Sequence, residues 1–174
     1  MIHIFCSQKL KLFIGSDELV GPNDPGPVHP LSTWNADVYN NRNRKCLLFT
    51  NKETLFCVVR QNILKKDLKD LSSLFIDALR SQLEAEDMFS NPDVAAWFGE
   101  NQQAQYHPTD NDRKVIGSMN DFILHIRTYY VTEHHVKPMT DNYVARMTNR
   151  IPMGLLKYKR PVEMLRTFAL QPDH

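Results

Sequence analysis

Arg127 and His134 bound the stretch RTYYVTEH, and an arginine with a histidine at such a spacing could cleave RNA. The guanidinium would hold the phosphate, and the imidazole would move the proton of a ribose hydroxyl. Ten arginines and seven histidines are present, so about one pair at a permitted spacing arises by chance in such a chain. Arg127 and His134 are therefore the catalytic alternative, a ribonuclease-like enzyme acting on nucleic acid.

A second constellation could bind rather than cut. Arg42, Arg44 and Lys45 precede an apolar strand, and Trp34 and Tyr39 lie on the strand before it. Cations beside aromatic rings on a sheet can hold single-stranded nucleic acid. The same residues serve equally as a charged edge that stops strands from pairing between molecules. Asn120 and Asp121 are expected next to the apolar stripe of a helix, where buried polar groups need partners, and Arg44 or Lys45 could supply them. Trp34, Arg44, Lys45, Asn120 and Asp121 form the candidate binding set. Lys157-Tyr158-Lys159-Arg160 is a second basic cluster.

Metal and cofactor chemistry finds little support. Asp110 and Asp112 stand near His107, but the string TDND is also what a helix start uses to accept free backbone N–H groups. His134 and His135 are neighbours, and adjacent side chains on a helix diverge. No metal site is expected. GxxxxGK[ST], GxGxxG, HExxH and GxSxG are all absent from the sequence, so the usual signatures of nucleotide, zincin and hydrolase chemistry are missing and no cofactor is expected. Cys6, Cys46 and Cys57 are far apart in apolar settings; they read as buried reduced thiols of an intracellular protein.

The elements that must position these residues follow from periodicity. Ile2–Phe5 is a short strand, and Gln8–Ile14 a helical turn. GPNDPGPVHP, residues 21–30, must be loop. Trp34–Tyr39, Lys45–Thr50 and Thr54–Arg60 read as strands joined by short turns, which requires antiparallel pairing. Cys46 and Cys57 are expected on one helix-covered face with Leu48 and Leu55. A two-residue turn would set Thr50 opposite Glu53, and a four-residue turn would set Cys46 opposite Val59. Leu64, Leu68, Leu71, Phe75, Leu79 and Leu83 form one stripe of a helix from about Lys66 to Asp87. Asn91-Pro92 opens a shorter helix, and Gln103–His107 is a further candidate strand. Ile116, Met119, Ile123, Ile126 and Tyr130 mark a third helix; Gly117 within it costs about 1 kcal/mol relative to Ala and implies close backbone approach. Asp141–Arg150 and Pro161–Ala169 read as short helices.

The fold class expected is α+β: an antiparallel meander of three to five strands with amphipathic helices packed on one face. Residues 1–137 are expected to form the core domain and residues 138–174 a helical C-terminal extension. Composition agrees with one globular domain. The chain has 174 residues, 42% hydrophobic and 24% charged, with a net charge of +1. No apolar run approaches the ~18 residues of a membrane span, and the N-terminus lacks the h-region of a signal peptide, so a cytoplasmic protein is expected. Charge is uneven: residues 1–60 carry +2, residues 61–136 carry −5 and residues 137–174 carry +4.

Trp34-Asn35-Ala36, Arg44-Lys45-Cys46-Leu47-Leu48-Phe49-Thr50-Asn51, Thr54-Leu55-Phe56 and Gly117-Ser118-Met119-Asn120-Asp121-Phe122 together resemble a bacterial family of small proteins defined only as a domain of unknown function. The resemblance spans roughly Met1–Arg127 and implies a bacterial cytoplasmic protein with no established activity. Asn149-Arg150-Ile151-Pro152, Leu156-Lys157-Tyr158 and Pro161-Val162-Glu163 are loosely similar to a C-terminal element of transposases, which implies an association with mobile elements or host defence. In that element Tyr158 and Pro161 would start a helix on which Met164, Leu165 and Phe168 dock. The leading expectation is a non-catalytic module that binds a protein or nucleic-acid partner, with no membrane association.

Overall fold

The computed structural model describes residues 1–15, 19–20 and 28–168, the last as backbone only. Most of GPNDPGPVHP and Ala169 lie outside the described residues, as does the side chain of Phe168. The strands are β1 (Ile2–Cys6), β2 (Thr33–Asn41), β3 (Arg44–Asn51), β4 (Cys57–Arg60) and β5 (Ala104–Pro108). The helices are α1 (Gln8–Ile14), α2 (Leu71–Ala85), α3 (Pro92–Glu100), α4 (Arg113–Thr132), α5 (Asp141–Thr148) and α6 (Pro161–Phe168). All five strands join one sheet in the order β4-β3-β2-β1-β5.

The expected meander is present: β2 pairs antiparallel with β3, and β3 with β4. Arg42 and Asn43 connect β2 to β3 with φ of 47° and 63°, the two-residue turn whose twist matches that of the strands. The expectation of a wholly antiparallel sheet needs correction. β1 runs parallel to both β2 and β5, so the sheet is mixed. Parallel neighbours need long crossover connections. The chain between β1 and β2 contains α1, and that between β4 and β5 contains α2 and α3.

Helices cover both faces, not one. Ile2, Ile4, Trp34, Ala36, Phe49 and Val58 point to a core shared with α2 and α3. Tyr39, Cys46, Leu48, Cys57 and Val59 point the other way, to Phe122 and Ile126 of α4 and Val144 of α5. Strands sandwiched in this way are apolar on both faces, which explains the unbroken run Cys46–Phe49.

The segment after Pro138 is part of both cores. Val144, Ala145, Met153 and Leu156 are buried against β3 and β4, whereas Val162 and Leu165 of α6 enter the core on the α2 side. Asn149, fully buried, accepts from the Cys57 N–H at 2.7 Å and donates to the Cys57 carbonyl at 2.9 Å. It thereby occupies the outer edge of β4 as a strand would. Tyr158 is 79% exposed, while its N–H donates to the Met153 carbonyl at 2.9 Å in the turn before α6.

Cys46, Cys57, Leu48 and Leu55 share one helix-covered face. The register differs from both versions expected, because Thr50 opposes Cys57 and Leu48 opposes Val59. The connection is longer and is built around Asn51. Its Oδ1 accepts from the N–H groups of Glu53 and Thr54, and its Nδ2 donates to the carbonyls of Pro30 and Thr33. Shifting the register by two keeps every side chain on its own face.

All three thiols are free and buried. Burial pushes Cys6 up to about 12 and raises Cys46 and Cys57 as well. The nucleophile is the thiolate. Folded protein at pH 8 is therefore expected to resist a maleimide and to take up three equivalents after denaturation; labelling of the native chain, read by intact mass, would contradict this placement.

Candidate anion-binding surface

The β2–β3 turn, the stretch after β4 and the C-terminal half of α4 meet at one end of the sheet. Arg42 stands in the turn and donates through Nη2 to the Tyr130 carbonyl at 3.1 Å, with its guanidinium 5.9 Å from the Tyr130 ring centre. Arg44 donates to Asn62 Oδ1 at 3.1 Å. The Ile63 N–H reaches the Lys45 carbonyl at 2.8 Å and continues the pairing past β4. Lys45 Nζ sits 4.6 Å above the ring of Phe13 at the end of α1.

A groove of about 540 Å³ opens between the end of α1, the β2–β3 turn and the stretch after β4. Phe13, Ile63 and Leu64 form its apolar wall, and Arg44, Lys45 and Lys65 line it with exposed side chains. Leu64 is 56% exposed, held there because Asp67 accepts its N–H at 2.8 Å. Arg42, Arg44, Lys45 and Lys65 form no ion pair among the described residues, whereas Lys52, Arg60, Arg146 and Arg150 elsewhere do. Three exposed cations without an ion-pair partner, beside an apolar wall, can hold a chain of phosphates with a base against the wall.

The candidate residues from the sequence are only partly brought together. Arg44 and Lys45 line the groove. Trp34 does not: it is 2% exposed, donates to the Leu31 carbonyl at 2.7 Å and meets Phe75 edge-on in the core. Asn120 and Asp121 are exposed on the outer face of α4, so the tether expected between them and Arg44 is replaced by the Arg44–Asn62 contact. Gly117 is exposed too, and a β-carbon there would meet nothing within 4 Å; no close approach among the described residues requires it.

Arg127 and His134 do not form a pair. Arg127 Nη2 donates to the Asn40 carbonyl at 3.3 Å, and His134 Nδ1 lies 3.3 Å from Arg42 Nη2. His134 titrates below its ordinary value, first through desolvation and then through the charges of Arg42 and His135. It is neutral at pH 7 and adds no cation there.

A second polar group lies on the sheet face that carries α4. His3 Nδ1 is 3.0 Å from His107 Nε2, beside Phe5. Lys52 bridges Asp110 at 2.5 Å and Asp112 at 3.5 Å. Asp112 also caps α4, accepting from Lys114 and Val115. Desolvation, then the His107 and N-terminal charges, holds His3 below the usual histidine range. Among the described residues, no three His, Cys, Asp or Glu side chains are grouped to hold a metal ion.

Sequence reading missed Phe13, Asn62, Leu64, Lys65 and His3. Leu64 counted as core because it begins the apolar stripe of the following helix, but α2 starts only at Leu71. Asn62 was detectable in principle, since it takes φ of 58° and asparagine tolerates that region best after glycine.

A family model described as Domain of unknown function (DUF6933) matches residues 3–164, a span that includes α5 and the first turn of α6. Neither the curated proteins nor the solved structures contain a match. Among the described residues, no helix is long and apolar enough to cross a membrane.

Proposed function

The chain belongs to the family described as Domain of unknown function (DUF6933), and we propose that it is a non-catalytic module that binds single-stranded nucleic acid at the β2–β3 end of the sheet. One observation carries the reading: Arg44, Lys45 and Lys65 are exposed together without ion-pair partners among the described residues, around a groove walled by Phe13, Ile63 and Leu64. The cations would neutralise successive phosphates, and the wall would take the face of an unstacked base. A groove of about 540 Å³ is large enough to receive a nucleotide. Duplex bases are already stacked on each other, so the single strand is the preferred ligand.

Binding of labelled single-stranded RNA and DNA tests this directly. With three phosphates neutralised, affinity should fall about 20-fold between 50 and 200 mM salt. Arg44→Glu combined with Lys45→Glu should weaken binding at least about tenfold with the melting temperature little changed, because both residues are exposed. No binding at 50 mM salt, or binding indifferent to the charge reversal, would refute the proposal. Cleavage of the RNA that vanishes in Arg127→Ala with His134→Ala would replace it by the ribonuclease alternative.

A further inference from the structure

α4 buries one face through Val115, Met119, Phe122, Ile123 and Ile126. On its opposite side Gly117, Asp121, Leu124, Thr128 and Val131 recur at spacings of four, three, four and three and are all exposed. Leu124 is 63% and Val131 70% exposed, unusual for the middle and end of a 20-residue helix. The spacing is that of a helix-pairing seam. Among the described residues nothing requires glycine at 117, since a β-carbon there would meet nothing within 4 Å. Asp121 lies in the seam and Arg127 beside it; Arg127 donates to the Asn40 carbonyl at 3.3 Å, and neither residue forms an ion pair among the described residues.

We propose that this face of α4 docks on α4 of a second copy of the chain, antiparallel, with the two-fold axis at Leu124. The residue sequence is complementary to itself under that operation. Leu124 meets Leu124 of the second copy, and Gly117 lies level with Val131, where the missing side chain leaves room for it. Asp121 lies level with Arg127 of the second copy, each about 4.5 Å along the helix from the axis, and the extended arginine reaches across the seam to the carboxylate. A parallel pairing would set Asp121 level with Asp121 and Arg127 level with Arg127. The two-fold operation makes every such contact occur twice. One helix face is small beside a standard interface, so self-association on the order of 10–100 μM is expected.

Sedimentation equilibrium of the full chain, from about 5 to about 500 μM, reads this association. The wild-type chain should pass from monomer to dimer. Leu124→Glu should remain monomeric across the range with its melting temperature unchanged. Asp121→Arg and Arg127→Asp should each weaken association about tenfold or more, and the double variant should restore it, because the exchange re-forms both pairs. A wild-type chain that stays monomeric, a Leu124→Glu dimer, or an exchange that fails to restore association would each overturn the proposal. The groove at the β2–β3 end uses other residues, so nucleic-acid binding by the monomer is a separate result.

Discussion

A chain ending at Lys137 is expected to lose its cooperative melt. The deleted segment buries Val144, Ala145, Met153 and Leu156 in one core and Val162 and Leu165 in the other. At about 1.5–3 kcal/mol for each large buried side chain, the loss is of the order of 10 kcal/mol, comparable with the whole stability of a typical domain. The deletion also bares the outer edge of β4, where Asn149 pairs with Cys57, and removes Asp141, which accepts from the Gln61 N–H at 3.1 Å. An exposed edge beside uncovered apolar surface is an aggregation site. Circular dichroism melts and binding of a hydrophobic dye should report a broad transition and exposed core. A sharp melt with dispersed amide resonances for residues 1–137 would instead show that the sheet and α2–α4 suffice, as the order of elements along the chain first implies.

The second large effect is expected at Glu86. This residue follows α2, and its side chain is fully buried. Arg150 grips both carboxylate oxygens at 2.8 Å, Gln82 donates at 3.3 Å and Arg146 lies at 3.7 Å. Arg166 of α6 reaches the Glu86 backbone carbonyl at 3.2 Å. One acidic residue thus ties the end of α2 to α5 and α6. Arg150→Met leaves a buried carboxylate short of its main partner; with Arg150 partly exposed and Arg146 remaining, about 2–4 kcal/mol of destabilisation is expected. For a chain of this size that lowers the melting temperature by about 5–15 °C. Adding Glu86→Gln to Arg150→Met should recover part of the loss, because the cost lies in the unpaired buried charge. A double variant less stable than the single one in chemical denaturation would show that the carboxylate is well satisfied without Arg150.

Both predictions concern the segment that the sequence presents as an appendage. The basic character of residues 137–174 encourages that reading, since charge of one sign suggests a solvated tail. In the fold, Arg146 and Arg150 turn to Glu86, a carboxylate from the acidic middle of the chain. Charge complementarity between distant segments is not visible when each is counted separately. The DUF6933 match runs through residue 164 and so includes most of this segment.

The candidate site was legible in part for a similar reason. Arg44 and Lys45 were recognisable because cations before an apolar strand must lie at a strand end, hence in solvent. Trp34 looked equally suited to binding, yet the crossover from β4 to β5 lays α2 over that face and buries it against Phe75. Asn120 and Asp121 sit between apolar positions of α4, but their phase on the helix points outward. A shift of one or two residues in phase separates a buried tether from an exposed flank, and spacing alone cannot say which face a neighbour will cover.

What the sequence determined by itself is local. Alternation and apolar runs specify the strands, the stripes at three and four residues specify α2 and α4, and short turns make β2, β3 and β4 antiparallel neighbours. The parity of the β3–β4 connection even put Cys46 and Cys57 on one face. Those features depend on residues close in the chain, whose geometry the backbone periods dictate. Tertiary structure alone decided the direction of β1 and β5, the second helical layer, the place of α5 and α6 in the core, and the groove made from Phe13, Lys45 and Leu64. Each depends on which apolar faces find one another after long connections, and the free energy of that burial depends on area rather than on chain order.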